Sequence, residues 1–270
     1  VCLPGLLPAC DVRVGDTGVS VGVTAGKAVD EWSRSYTLAQ ARQIEIVSDA
    51  GPIDVTGTDG AAIEVRIDRE AHAENDSAAR AALKAVEIIE TVSDLRVMVE
   101  TRAPDRGGRR MRRPQVTVRH RIQVPRGMTA SFRSQSAAVT VENVHATLSL
   151  TANNGSVRGS SVSGAVNAAV VNGSLTLELA AVTDPIELSA VNGSIRLVVP
   201  REAGATLTAS ALNGKVSVSE ALAFSPESGT PSESRTAGRL NAGGPTIRAQ
   251  STNGGVRIET ASTSPPASRP

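Results

Sequence analysis

The pair Asn-Gly stands at Asn154-Gly155, Asn172-Gly173, Asn192-Gly193, Asn213-Gly214 and Asn253-Gly254, at intervals of 18, 20, 21 and 40 residues. A period near 20 with a turn signal in each copy marks a stacked-repeat architecture. Aligned on the asparagine, the copies share apolar positions. Six residues before it stand Leu148, Val166, Ile186, Leu207 and Ile247; four before it, Leu150, Ala168, Leu188, Ala209 and Ala249. Two before it come Ala152, Val170, Ala190, Ala211 and Ser251. Three after it come Val157, Leu175, Ile195, Val216 and Val256; five after it, Gly159, Leu177, Leu197, Val218 and Ile258.

Each copy therefore has two short strands of period-two alternation joined at a corner. Asparagine tolerates the left-handed region and glycine enters it without steric cost, so the chain bends there. In an isolated pair of strands the same dipeptide would mark an antiparallel hairpin. The return of like residues in like columns points instead to stacked coils. The expected fold is all-β: a single-stranded parallel β-solenoid with one inserted N-terminal α-helix. The intervening Ser, Thr, Asn, Arg and Glu suit faces left in water. A narrow interior also explains why Trp32, Tyr36, Phe132 and Phe224 are the only aromatic residues, 1% of the chain.

The pattern continues upstream in weaker form. Ala130, Phe132, Ser134, Val139 and Val141 fit the columns with Ser136 in the asparagine position, and Ile44, Ile46, Ser48, Gly51, Ile53 and Val55 fit them again. The solenoid is expected over residues 32–260. Residues 76–92 form the helix insertion, capped by Asp76 or Ser77, with Ala79, Leu83, Val86 and Ile89 on one face that covers the N-terminal end. The stretch 102–114 is an Arg-rich loop, 221–244 a mobile excursion rich in Ser, Pro, Gly and Glu, and 261–270 a disordered tail.

The opening residues resemble the tail of an export signal. Leu7-Pro8-Ala9-Cys10 is similar to the bacterial lipobox, which makes Cys10 the lipidation candidate and residues 11–31 a tether. A plain unstructured terminus or a Cys2–Cys10 bridge are the other readings. The expected location is the cell envelope, with the membrane reached through a lipid anchor only; a cytoplasmic location is the less favoured alternative. Lys plus Arg is 28 against 27 for Asp plus Glu, so no global charge leans toward nucleic acid.

In order along the chain, several elements carry a family resemblance: Ile44-Glu45-Ile46 with Gly51-Pro52-Ile53-Asp54-Val55, the Ala/Leu-rich helix, and Ile122-Gln123-Val124-Pro125. The serial Asn-Gly copies and Gly243-Gly244 before Thr246-Ile247 complete it. The chain resembles the bacterial "putative adhesin" family of β-strand-repeat proteins, a domain of unknown function. The resemblance implies a β-solenoid on the cell envelope, often lipid-anchored, with adhesion proposed. It brings no catalytic residues. This sequence departs from the pattern at Ser136-Ala137 and in the lengthened segment after Ala221.

Polysaccharide-cleaving β-helices need clustered carboxylates. Between Ala130 and Glu220 the only aspartate is Asp184, and Glu142, Glu178, Glu187, Glu202 and Glu220 do not recur in one column. A non-enzymatic protein without cofactor is expected. His72, His120 and His145 are far apart in sequence; His120, between Val118 and Ile122, is expected as a hydrogen-bonded core histidine. The Asn-Gly-Ser copies match a glycosylation acceptor, but the turn itself accounts for them, and a stacked asparagine ladder is their expected purpose. Arg106, Arg109, Arg110, Arg112 and Arg113 form a candidate anion-binding loop, set against a plain solvated loop. The expected function is an adhesin-like binding or scaffold module whose partner is a surface glycan or an envelope protein. An accessory protein in envelope signalling and a carbohydrate-active enzyme are the alternatives.

Overall fold

The computed structural model describes residues 11–15, 18–22, 26–37, 42–93, 95–103, 114–227 and 232–261. β1 (Asp11–Gly15) and β2 (Gly18–Gly22) form an antiparallel pair of their own. β3 (Gly26–Thr37), β4 (Gln43–Ser48), β5 (Ile53–Thr58) and β6 (Ala62–Ala73) lead into α1 (Asp76–Lys84). β7 (Glu87–Ser93), β8 (Arg96–Arg102) and β9 (Gln115–Pro125) follow. Strand pairs come next: β10 (Thr129–Ser134) with β11 (Val139–Glu142), β12 (Leu148–Asn154) with β13 (Val157–Val162), and β14 (Val166–Asn172) with β15 (Leu175–Leu179). β16 (Ile186–Asn192) with β17 (Ile195–Val199) and β18 (Ala205–Ala211) with β19 (Val216–Val218) continue the series. The short β20 (Phe224–Pro226) and β21 (Arg235–Leu240) precede the last pair, β22 (Thr246–Asn253) with β23 (Val256–Thr260).

Each of these pairs is a rung, with its first strand in an 11-stranded sheet and its second in a 10-stranded sheet. Rungs stack in parallel and in register: Leu148 lies beside Val166, Val166 beside Ile186, and Val157 beside Leu175. The columns expected to be apolar point inward and bury one continuous core that draws on both sheets. Gly159 breaks its column for a steric reason. A Cβ there would lie 2.4 Å from Leu177 Cδ1, and the register shifts between Gly159 and Val162.

The fold is thus all-β with one helix among the described residues and long runs of parallel strands, and the two strands of each copy fall in two different sheets. Succession along the chain is not succession in space. β22 lies between β16 and β18, so the fifth Asn-Gly copy sits between the third and the fourth. At the other end β4 lies between β8 and β10, and β5 between β9 and β11. The first and last rungs of the chain are therefore flanked on both sides.

At three of the four sheet edges the outermost strands are antiparallel; at the fourth, β19 pairs with β23 in parallel. β7 pairs with β8, β3 with β6 and β6 with β9, while β18 is followed by β21 and β20. Reversing direction at those three edges covers strands that would otherwise extend the parallel stack to another chain.

Four boundaries are corrected. The segment 221–244 holds a β-hairpin rather than a mobile excursion across its described residues: Thr236 and Leu240 are buried on β21, and Leu222 is buried before it. The last part of the expected tether, from Gly26, belongs to β3, where Ala28 packs with Ala71, Ala79 and Leu83. The helix stops at Lys84 instead of running to 92. Ile88, Ile89, Thr91 and Val92 are β-branched and take the free edge of β8. Its cap is Asn75, whose side-chain oxygen accepts from Ala78 N at 2.8 Å. α1 lies against β3 and β6, with Ala79 and Leu83 on Ala28 and Ala71, while Val86 and Ile89, expected on the same helix face, lie beyond its end.

Candidate binding face

The Asn-Gly corners form one hydrogen-bonded column. Asn172 Nδ2 donates to Asn154 Oδ1, Asn192 to Asn172, Asn253 to Asn192 and Asn213 to Asn253, each at 2.8 Å. The column thus follows the spatial order of the rungs. Beneath it the backbone does the same: Gly155 N donates to Asn172 O at 3.0 Å and Gly173 N to Asn192 O at 3.1 Å. Glycine is required because the corners stack so closely. A Cβ on Gly173 would fall 1.9 Å from the Gly155 carbonyl oxygen, and one on Gly193 1.6 Å from that of Gly173.

The corners hold the outward residues of the 11-stranded sheet in straight rows. One row runs Ser131, Ser149, Asn167, Glu187, Arg248 and Thr208; the next runs Arg133, Thr151, Ala169, Ser189, Gln250 and Ser210. Beside the corner lies an apolar margin in which Val171 is 38% exposed, Val191 44% and Leu212 76%. At the β18 end the two meet in an open groove of about 550 Å³, lined by Ser189, Val191, Ser210, Leu212, Arg235 and Gln250. Such a surface offers hydroxyl and amide hydrogen bonds next to aliphatic area, which suits non-covalent recognition.

The opposite end is polar in a different way. On the 10-stranded sheet Arg66 bonds Glu31 at 2.7 Å and Asp68 at 3.1 Å, and Arg121 bonds Asp68 at 2.5 Å. Glu45 lies under Arg96 and Arg133. Tyr36 donates to Glu90 at 2.7 Å; burial, then that carboxylate, push its hydroxyl pKa up.

His120 is a core histidine, fully buried between the sheets. Its Nδ1 lies 3.1 Å from the Pro52 carbonyl oxygen, which can only accept, and Nε2 lies 3.0 Å from Thr101 Oγ1. That pairing places the proton on Nδ1 and leaves Nε2 to accept from the hydroxyl. Burial lowers its pKa from 6.5 to about 4, against a smaller opposing effect of the Pro52 carbonyl.

Of the residues singled out from sequence, the five asparagines come together with their glycines. Cys10, Arg106, Arg109, Arg110, Arg112 and Arg113 lie outside the described residues. Arg102, at the start of that loop, ends β8 and bonds Glu100 at 2.7 Å. Among the described residues no group of His, Cys, Asp and Glu is placed to hold a metal, and no helix is long and apolar enough to cross a membrane. The apolar margin was missed, although its signal is present. The residue before each asparagine points outward, and in three copies it is Val171, Val191 and Leu212.

The family model of the Toastrack DUF4097 domain matches residues 19–259. Among solved structures, the chain is similar to a "putative cell adhesion protein" from Clostridium sporogenes, at 11% identity and a TM-score of 0.49, over 87% of this chain and 100% of that one. It is also similar to a "putative adhesin" from Bacteroides fragilis, at 14% identity and a TM-score of 0.27, over 86% of this chain and 97% of the other. A "putative lipid binding protein" from Parabacteroides distasonis matches at 10% identity and a TM-score of 0.32, again over 86% and 97%. A search of the curated proteins found no match.

Proposed function

Because the chain belongs to the Toastrack DUF4097 family, a domain of unknown function, we propose that it is a non-catalytic, adhesin-like binding module of the cell envelope. Its stacked rungs act as a scaffold for the outer face of the 11-stranded sheet. The observation that supports this most is the coincidence, on one face, of straight hydroxyl and amide rows with the exposed margin of Val171, Val191 and Leu212. Aliphatic rather than aromatic side chains border the groove, which favours an envelope protein over a glycan as partner. Attachment through Cys10 would put the face at the membrane surface.

The test uses beads coated with the full chain, presented to whole bacterial cells and to an immobilised glycan panel. Cell retention is expected, and V191D/L212D is expected to remove most of it while the melting temperature holds, since both side chains are exposed. Retention no better than on beads coated with an unrelated protein, or unchanged in the double variant, would refute the reading. Retention on the glycan panel alone would replace the protein partner with a glycan.

A further inference from the structure

The 10-stranded sheet has its own outward rows, and the spatial order of the rungs sets their charge. One row reads Arg158, Thr176, Arg196, Arg257 and Ser217. In chain order Arg196 would have Ser217 as its neighbour. The placing of β23 between β17 and β19 instead sets Arg257 directly beside Arg196. Strands lie about 4.8 Å apart, so two guanidinium groups leave the sheet side by side. Like charges in that position repel.

The neighbouring row, nearer the corner, holds Ser194, Gly255 and Lys215 in spatial order. Gly255 contributes no side chain, so a trough of about 480 Å³ opens between Ser194 and Lys215, with Arg196, Arg257 and Ser217 along it.

Glu259 is the carboxylate that both arginines share, 2.8 Å from Arg196 Nη2 and 3.7 Å from Arg257 Nε. Lys215 meets Glu233 at 2.9 Å, a pair almost wholly in water. Arg158 forms no ion pair among the described residues. One carboxylate for two adjacent guanidinium groups leaves donors of both arginines turned to solvent. Guanidinium forks in such a position match oxyanions.

We infer that this trough is an anion-binding site for a polymer bearing phosphate or sulfate groups. Arg196, Arg257 and Lys215 supply charge; Ser194 and Ser217 supply hydroxyl donors. Exposed pairs bind a single ion weakly. A polymer engages the row from Arg257 toward Arg158 at several points and gains by multivalency. The site lies on the other sheet from the proposed adhesive face and does not depend on it.

The experiment measures full-chain retention on heparin, a sulfate-ester polymer, and on immobilised polyphosphate over a salt series. Retention on at least one is expected, falling as salt rises. R196Q/R257Q should weaken it about fivefold or more at low salt, and E259Q should strengthen it about two- to threefold by freeing both guanidinium groups. A purely structural role for these residues would not produce opposite shifts. Retention on heparin alone assigns sulfate esters, and on polyphosphate alone phosphate; either supports the site. No retention on both, unchanged retention in the double variant, or weaker retention in E259Q would overturn it. So would complete loss on neutralising Arg109, Arg110, Arg112 and Arg113 with these residues intact.

Discussion

At a corner of the stack, an asparagine side chain and a glycine backbone act together. The amide of Asn172 donates to Asn154 and accepts from Asn192, while Gly173 brings its backbone against that of Gly155. One exposed amide link contributes about 1 kcal/mol at most, whereas a methyl group forced against a carbonyl moves backbone. Gly173→Ala should therefore destabilise the protein by about 2 kcal/mol or more. Gly127→Ala, where a Cβ would meet nothing within 4 Å, should change stability by about 0.5 kcal/mol or less. Denaturant unfolding of the two variants checks this, and equal losses would refute close stacking as the reason for the glycines. His120 carries a second prediction. Its pKa is depressed on folding, so the unfolded chain binds the extra proton first. Its stabilising contribution is complete above 6.5 and is lost as the pH falls toward about 4. Between pH 7.5 and 4.5 that loss should be about 2 to 3 kcal/mol, and H120Q should lack it when both are unfolded in denaturant. The corner and core residues were legible in the sequence because each recurs in register. His120 was legible from its place between Val118 and Ile122, although its partners, Pro52 and Thr101, come from other strands and leave no local signal.

Elements tell a different story at the two ends. In the repeat, alternation alone specifies the strand, as in β14 and β16. Near the helix, local propensity and a neighbouring edge compete: Ala78 to Leu83 favour helix, but Ile88 and Ile89 meet the free side of β8 and become β7. The hairpin of β20 and β21 was hidden by its Ser, Gly and Pro content, since its apolar support is confined to Leu222, Phe224 and Leu240. Leu240 is buried against the end of the core, opposite Ala205. Leu240→Ala should cost about 2 to 5 kcal/mol and loosen the cap first. In hydrogen exchange, amides of β18 and β21 are expected to lose protection while those of β12 and β14 keep theirs. Uniform loss, or none, would contradict the hairpin's role as a cap.

For the whole molecule the main consequence lies in the order of the rungs. Every copy presents the same columns, so the pattern could not say which rung neighbours which; the 40-residue interval before Asn253 was the only hint. The exchange at both ends encloses the first and last rungs, leaves antiparallel strands at three of the four sheet edges, and places Arg257 beside Arg196. A chain closed in this way frays less readily than one whose terminal rungs lie on the outside. The most direct measurement is disulfide formation between paired cysteines on the outer face, in a chain with Cys2 and Cys10 replaced by serine. Ser189→Cys with Gln250→Cys, on adjoining strands β16 and β22, should cross-link readily on mild oxidation. Ser189→Cys with Ser210→Cys, two strands apart, should not. Cross-linking of the second pair in preference to the first would mean that the rungs stack in chain order, contrary to the arrangement described.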